Sequence, residues 1–81
     1  MLLAAAILAL PEQTAGEAYQ KGEEELRTGD LAGAERDFRL AALKDPASAG
    51  AHANLGVVYM RRKQWEQALY QLHAAEKLAP A

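Results

Sequence analysis

Small and apolar residues recur at intervals of three or four in four separate stretches of the chain. In the first stretch, Ala18, Gly22 and Leu26 fall on one side of a helix at this spacing, with Tyr19 beside them. Glycine and proline lie where the stretches end, and no stretch alternates apolar and polar residues with a period of two. The pattern therefore predicts an all-α chain of four helices without strands.

Residues that begin and end helices lie between these stretches. Thr14 and Glu17 are spaced as a capping box, in which each side chain bonds the backbone amide of the other residue. Gly29 suits a left-handed helix end, and Asp30 suits the start of the next helix. Pro46 forbids continuation of the second helix. The first half of the chain is therefore predicted to be a helix, a tight turn and a second helix.

The same plan recurs in the second half, where Ser48 is the expected cap and residues 61–64 are expected to close the third helix. Small or apolar residues are predicted to face inward from the second, third and fourth helices. They are Leu31, Ala34, Phe38, Ala41 and Ala42, then Leu55, Gly56, Tyr59 and Met60, and last Trp65, Ala68, Leu69, Leu72, Ala75 and Leu78.

Equivalent residues of the two halves lie 34 positions apart, among them Gly22 and Gly56, Ala34 and Ala68, and Pro46 and Pro80. Antiparallel helices approach closely where one of them presents a small side chain. We therefore expect each glycine to face the alanine of its own half, with Phe38 and Leu72 filling the space one turn further along. A fixed period of this length indicates one helical hairpin used twice, an architecture that usually serves as a binding surface.

The second half resembles the tetratricopeptide repeat family. It carries Asn54-Leu55-Gly56-x-x-Tyr59, then Trp65-x-x-Ala68-x-x-x-Leu72-x-x-Ala75, and then Pro80. The first half agrees at Gly22, Ala34, Phe38, Ala41 and Pro46, while Lys21 and Glu25 stand where the family prefers apolar or aromatic residues. The resemblance implies two hairpins stacked as a short right-handed α-solenoid. Repeat one is expected at about 14–47 and repeat two at about 48–81, within a domain of residues 12–81.

The resemblance also implies a groove, lined by the first helix of each hairpin, in which the family binds peptides or partner proteins. The matching positions here are Tyr19, Gln20, Glu23, Arg27, Asn54, Val57 and Arg61. A plain solvated helix face is an equally good interpretation of these side chains, and Glu23 and Arg27 are spaced as an exposed ion pair. One branch of the family grips the carboxylate of chaperone tails with Lys, Asn and Arg side chains. Only Asn54 fits that clamp, and Glu23 would repel a carboxylate, so we do not expect chaperone-tail binding.

Residues 1–10 form an unbroken apolar run without charge, followed by Pro11. A helix of this length rises only about 15 Å, which is too short to span a bilayer. The length suits the apolar region of a signal peptide that lacks its positively charged start. Such a signal would send the chain to the periplasm or to the outer side of a bacterial membrane. The alternative is a cytoplasmic chain in which this leader, residues 1–11, packs against an exposed end of the repeats.

The composition of the chain limits which kinds of functional site it can contain. The chain has 81 residues, no cysteine and a formal net charge of -2. Without thiols there are no disulfides and no thiolate metal sites, and the basic footprint of a nucleic-acid binder is missing. His52 and His73 lie in different helices without a carboxylate pair nearby, so we expect no catalytic, cofactor or metal site. His52 is expected to pack beside Leu55 and Gly56, and His73 to lie on an exposed face.

The favoured function is a non-catalytic protein–protein interaction module whose groove takes a partner peptide or protein. Two repeats are fewer than the three or so that such a stack usually needs, and the last helix has no cover for its outward apolar residues. The chain therefore suggests a fragment of a longer repeat protein. Two alternatives stay open: self-association through the uncapped helix at residues 65–79, and an appendage of a larger enzyme whose catalytic domain is not in the sequence.

Overall fold

The computed structural model describes residues 13–79, which contain four helices. These are α1 (Ala15–Thr28), α2 (Leu31–Lys44), α3 (Ala49–Arg61) and α4 (Trp65–Leu78). Helix α1 packs on α2, α3 packs on α4, and α2 packs on α3, so two helical hairpins stack as a short solenoid. The prediction of an all-α repeat architecture is confirmed for residues 13–79. The predicted leader at residues 1–11 and the proline at position 80 lie outside the described residues.

Local sequence determines where α1 begins and ends. The Thr14 N–H donates to Glu17 Oε1 at 2.9 Å, and the Glu17 N–H donates to Thr14 Oγ1 at 3.0 Å. The predicted capping box is therefore confirmed. Gly29 ends α1 with a φ of 90°, in the left-handed region that glycine adopts without steric cost. Lys63 holds the equivalent position after α3 with a φ of 60°, although it carries a β-carbon.

Short polar side chains begin α2 and α3, as predicted. Asp30 Oδ1 accepts a hydrogen bond from the Gly33 N–H at 3.0 Å, and Ser48 Oγ accepts one from the Ala51 N–H at 3.1 Å. Gln64 occupies the equivalent position before α4, but its side chain forms no cap. Its Oε1 atom is buried without a hydrogen-bond partner. The fourth helix thus starts with less support than the other three.

The main core lies between α2, α3 and α4 and is built from Ala34, Phe38, Leu55, Val58, Tyr59 and Ala68. A smaller cluster of Ala18, Ala41 and Ala51 joins the first three helices. At the edge of the core, Glu35 of α2 accepts hydrogen bonds from Tyr59 Oη at 3.4 Å and from Arg62 Nη1 at 2.6 Å. Apolar packing and this carboxylate together hold the first hairpin against the second.

The two repeated glycines accommodate large side chains, and the predicted contact with alanine is seen at Gly56, beside Ala68. A β-carbon on Gly22 would lie 2.9 Å from Cε1 of Phe38. On Gly56 it would lie 2.7 Å from Cγ of Leu72 and 3.4 Å from the carbonyl oxygen of Ala68. Distances near 3 Å are well inside carbon–carbon van der Waals contact. Each glycine is therefore required by the bulky residue of its own hairpin, while the contact of Gly22 with Ala34 stays a prediction.

Several apolar residues predicted to face inward are exposed at the α4 end of the stack. Trp65 is 61% exposed, Leu69 56% and Met60 44%, and Leu78 is also exposed. The positions 34 residues earlier explain why. Leu26 of α1 and Leu31 and Glu35 of α2 are half-buried there, because α3 packs against the first hairpin. On α4 the prediction of an inward position is confirmed for Ala68 and wrong for Trp65, Leu69 and Leu78. Within residues 13–79 no further helix covers these three side chains.

Candidate functional site

The predicted groove residues lie on α1 and α3, the first helices of the two hairpins. Tyr19, Asn54 and Val57 are half-buried, and the four others are exposed. Helices α1 and α3 touch each other over a short stretch only, while each packs closely on the second helix of its own hairpin. The seven side chains are thus distributed along a surface with room between the two helices.

Tyr19 is held in place by residues of both hairpins. Its hydroxyl oxygen accepts a hydrogen bond from Asn54 Nδ2 at 3.1 Å, which joins α1 to α3. Its ring meets the ring of Phe38 edge to face, with centroids 5.5 Å apart. A β-carbon on Gly50 would lie 2.8 Å from the Tyr19 hydroxyl oxygen. The tyrosine ring therefore forms a fixed wall between the helices, and Gly50 makes room for it.

The two arginines of the predicted groove are engaged with other groups of the protein. Arg27 Nε donates to Glu24 Oε2 at 3.0 Å, which corrects the predicted pairing of Arg27 with Glu23. A separation of three residues brings Glu24 to the same side of the helix as Arg27. Arg61 Nη1 donates to the carbonyl oxygen of Leu26 at 3.2 Å, near the end of α1. Glu23 has no ion-pair partner among residues 13–79.

A cleft of about 510 Å³ opens between the first half of α1 and the start of α3. Its lining consists of small residues, polar residues, one aromatic ring and two carboxylates: Ala15, Gly16, Tyr19, Gln20, Glu23, Ala41, Asp45, Ser48 and Gly50. Tyr19, Gln20 and Glu23 belong to the predicted groove set, whereas Asn54, Val57, Arg27 and Arg61 do not line the cleft. The cleft thus occupies one half of the predicted surface.

Sequence reasoning missed Asp45, Ser48 and Gly50 as members of this cleft. Asp45 and Ser48 belong to the connection between the hairpins, and Gly50 belongs to the first turn of α3. This part of the chain runs past α1 because α2 returns antiparallel to it. Pro46 is the available signal, since it stops α2 and so fixes where the connection begins. Asp45 and Ser48, on either side of this proline, therefore lie beside the surface of α1.

A pair of carboxyl groups across the α1–α2 interface also escaped the sequence analysis. Asp37 is buried, and Glu25 Oε1 is buried without a hydrogen-bond donor. The hydrogen bond with Asp37, followed by burial, raises the pKa of Glu25 to about 6. Burial acts to raise the pKa of Asp37, but its hydrogen bonds with Glu25 and Arg36 lower it overall. As pH falls, Glu25 therefore takes up a proton at about pH 6, before Asp37 does.

Residues 13–79 contain no group of three or more histidine or carboxylate side chains arranged to hold a metal ion. His52 Nδ1 lies 2.8 Å from Gln71 Oε1, and its Nε2 lies 3.3 Å from the Pro46 carbonyl oxygen. This histidine thus links α3 to α4 and to the connection between the hairpins, while its expected packing beside Leu55 and Gly56 stays a prediction. His73 is exposed, as predicted.

The helices of residues 13–79 are all too short or too polar to span a bilayer.

Comparison with known proteins bears on the second hairpin. A family model described as tetratricopeptide repeat matches residues 49–81, which include α3 and α4. The searches of curated proteins and of solved structures gave no significant match. Tetratricopeptide repeats are generally non-catalytic and suggest protein partners. The match to residues 49–81 and the four helices stacked as two hairpins in a 34-residue register support a tetratricopeptide-type repeat fragment.

Proposed function

We propose that this chain is a non-catalytic protein–protein interaction module, and that a partner peptide lies along the groove side of α1 and α3. The observation that carries this proposal is the open cleft of about 510 Å³ between the two helices. Its aromatic wall, Tyr19, is fixed by Asn54 and Phe38 before any partner arrives. A preformed surface loses less conformational entropy on binding, which favours recognition of an extended or helical peptide.

The groove offers two exposed polar side chains on α1 and one half-buried apolar side chain on α3 for contact with a partner. Gln20 and Glu23 are exposed on α1, and Val57 is half-buried on α3. None of these three side chains forms a hydrogen bond or ion pair to another described side chain. They are therefore available to a partner, whereas Arg27 and Arg61 would first have to leave Glu24 and the Leu26 carbonyl oxygen.

The proposal is tested with peptides selected from a displayed library of random short sequences on the full chain. Replacement of Gln20 and Val57 by alanine should weaken binding of the selected peptides about tenfold, since interface residues of this kind each contribute roughly 0.5–1 kcal/mol. Gln67→Ala is the matched control, because Gln67 is exposed on α4, away from the groove. Equal affinity of the groove variant and the control would refute the groove.

A second function is supported by the exposed apolar surface at the α4 end of the stack, formed by Trp65 and Leu69 of α4 and Met60 at the end of α3. We infer that this surface packs against the same surface of a second copy. The outer side of α1 presents Lys21, Glu24 and Thr28, so head-to-tail stacking would place apolar residues against charged ones. A two-fold arrangement instead joins the α4 surface to itself, which is the usual form of a homodimer.

Sedimentation of the full chain over a range of concentrations tests this second function. Trp65→Glu should shift the chain from dimer to monomer, because two buried carboxylates would face each other. Tyr70→Glu is the matched control, since Tyr70 is 72% exposed but borders a different cleft, between α2 and α4. A wild-type chain that stays monomeric at all concentrations, or a dimer that Trp65→Glu leaves intact, would exclude this arrangement.

A further inference from the structure

We propose that the cleft between α1 and α3 takes a lysine or arginine side chain of the partner peptide. This inference rests on the proposed groove function and adds the chemistry of the ligand. The charged residues that line the cleft are Glu23 and Asp45, and both are acidic. This lining attracts a cationic side chain and repels an acidic one.

The two carboxylates of the cleft are not neutralised by the protein's own cations. Among residues 13–79 neither Glu23 nor Asp45 forms an ion pair, while Glu24, Glu25 and Glu35 all do. The nearest groove arginine on α1, Arg27, is bound to Glu24 instead. The negative potential of the cleft therefore remains available to a charge brought by a partner.

The shape and polarity of the cleft match a long side chain with a charged end. Ala15, Gly16, Ala41 and Gly50 give a lining of small residues, and Tyr19 adds an aromatic wall. Lysine and arginine combine an aliphatic stem, which packs on such surfaces, with a cation that stays near water. A cation near a tyrosine ring gains a further attraction from the ring electrons. A short acidic or neutral side chain would leave this lining uncovered.

The position of Tyr19 limits how the cleft can change to accept another ligand. Its hydroxyl is held by Asn54 at 3.1 Å, and Gly50 leaves it only just enough room. The wall of the cleft is thus shared by both hairpins, and the carboxylates of Glu23 and Asp45 come from α1 and from the connection after α2. Binding of a cationic side chain therefore depends on the two hairpins being docked together.

A double-mutant cycle between peptide and protein tests the inference. The probes are the best peptide selected from a random displayed library and its counterpart with lysine or arginine replaced by glutamine. This replacement should weaken binding to the wild-type chain by up to about fivefold, the upper end of the range for exposed ion pairs. It should have no further effect on the double variant Glu23→Gln/Asp45→Asn, because the interacting charges are gone. Binding to the wild-type chain should also weaken as salt is raised.

Glu76→Gln is the control for net charge, since Glu76 is an exposed carboxylate on α4, outside the cleft. On this variant the peptide replacement should cost as much as on the wild type. An equal cost on the Glu23→Gln/Asp45→Asn variant, or selected peptides without enrichment of lysine and arginine, would overturn the inference. If those peptides still require Gln20 and Val57, the groove function stands without the cationic preference. If the selected peptides bind the Gln20→Ala/Val57→Ala variant as tightly as the wild type, the groove function fails as well.

Discussion

A β-carbon placed on Gly22 would lie 2.9 Å from Cε1 of Phe38, so α1 and α2 can pack at their observed distance only with hydrogen at this position. Phe38 is fully buried in the main core and cannot move aside without disturbing α3. The same relationship recurs between Gly56 and Leu72 in the second hairpin. The repeated glycine therefore determines how closely each hairpin closes.

Gly22→Ala should lower the free energy of unfolding by about 1–3 kcal/mol, as other insertions into packed cores do. Gly16→Ala is the matched control, because a β-carbon there would meet only Thr14 Oγ1, at 4.0 Å. In that helical position alanine should stabilise by up to about 1 kcal/mol. Urea unfolding of the full chain measures both. Two variants of equal stability would mean that the Phe38 contact does not limit the hairpin.

Glycine should be the more stable choice in the turn inside each hairpin. Lys63 adopts a φ of 60° where Gly29 adopts 90°, and a residue with a β-carbon pays for that conformation. Lys63→Gly should stabilise the chain by about 0.5 kcal/mol, after the extra entropy of glycine in the unfolded state is subtracted. Gly29→Ala should destabilise it by about 1 kcal/mol. Thermal unfolding of both variants checks the sign, and a destabilising Lys63→Gly would contradict this reasoning.

The start of α4 predicts a stabilising substitution. Gln64 forms no cap and leaves its Oε1 buried without a donor, whereas Asp30 caps α2 at the equivalent position. Gln64→Asp should therefore add about 1 kcal/mol to the free energy of unfolding. Gln64→Ala separates the two causes, since it removes the buried amide but supplies no cap. The prediction fails if the aspartate variant is no more stable than the alanine variant.

The Glu25–Asp37 pair predicts a pH dependence of stability. The pKa of Glu25 is about 6 in the folded chain and near 4.5 in the unfolded chain, so the folded state binds this proton more tightly. Stability should fall by about 1–2 kcal/mol as pH rises through this interval, because Glu25 then carries its charge beside Asp37. Asp30 adds to the repulsion and Arg36 opposes it.

Glu25→Gln tests this dependence by urea unfolding at a series of pH values. The amide keeps the shape of the side chain and can donate to Asp37 without titrating. The variant should be more stable than the wild type at neutral pH, with a flatter profile between pH 4.5 and about 6. Glu24→Gln is the control, because Arg27 lowers the pKa of Glu24. Loss of the Glu24 carboxylate should therefore not raise the stability of the chain at neutral pH. An unchanged profile in Glu25→Gln would refute the shared proton.

Features that depend on neighbouring residues of the chain could be predicted from the sequence. The capping box of Thr14 and Glu17, the cap Asp30 and the left-handed Gly29 all involve partners within a few residues. The 34-residue period also predicted the order of the helices, because equivalent residues perform the same packing role in each hairpin.

Features that depend on distant residues could not be predicted in the same way. The bonds from Asn54 to Tyr19 and from Arg61 to the Leu26 carbonyl both join residues 35 positions apart. Their geometry follows from how the hairpins dock, which periodicity does not specify. The burial of Trp65 could not be predicted from the sequence either. Its place on the stripe of α4 is set by the sequence, but its exposure is set by what lies next to that helix.

Amide chemical shifts of the isotopically labelled full chain, followed during titration with a selected peptide, test the central claim most directly. That claim places the partner on the groove side of α1 and α3. The account predicts that the largest changes fall on Gln20, Glu23 and Val57, with little change at Gln67 or Tyr70 on α4. Changes concentrated on Trp65 and Leu69, with the groove amides unmoved, would contradict it.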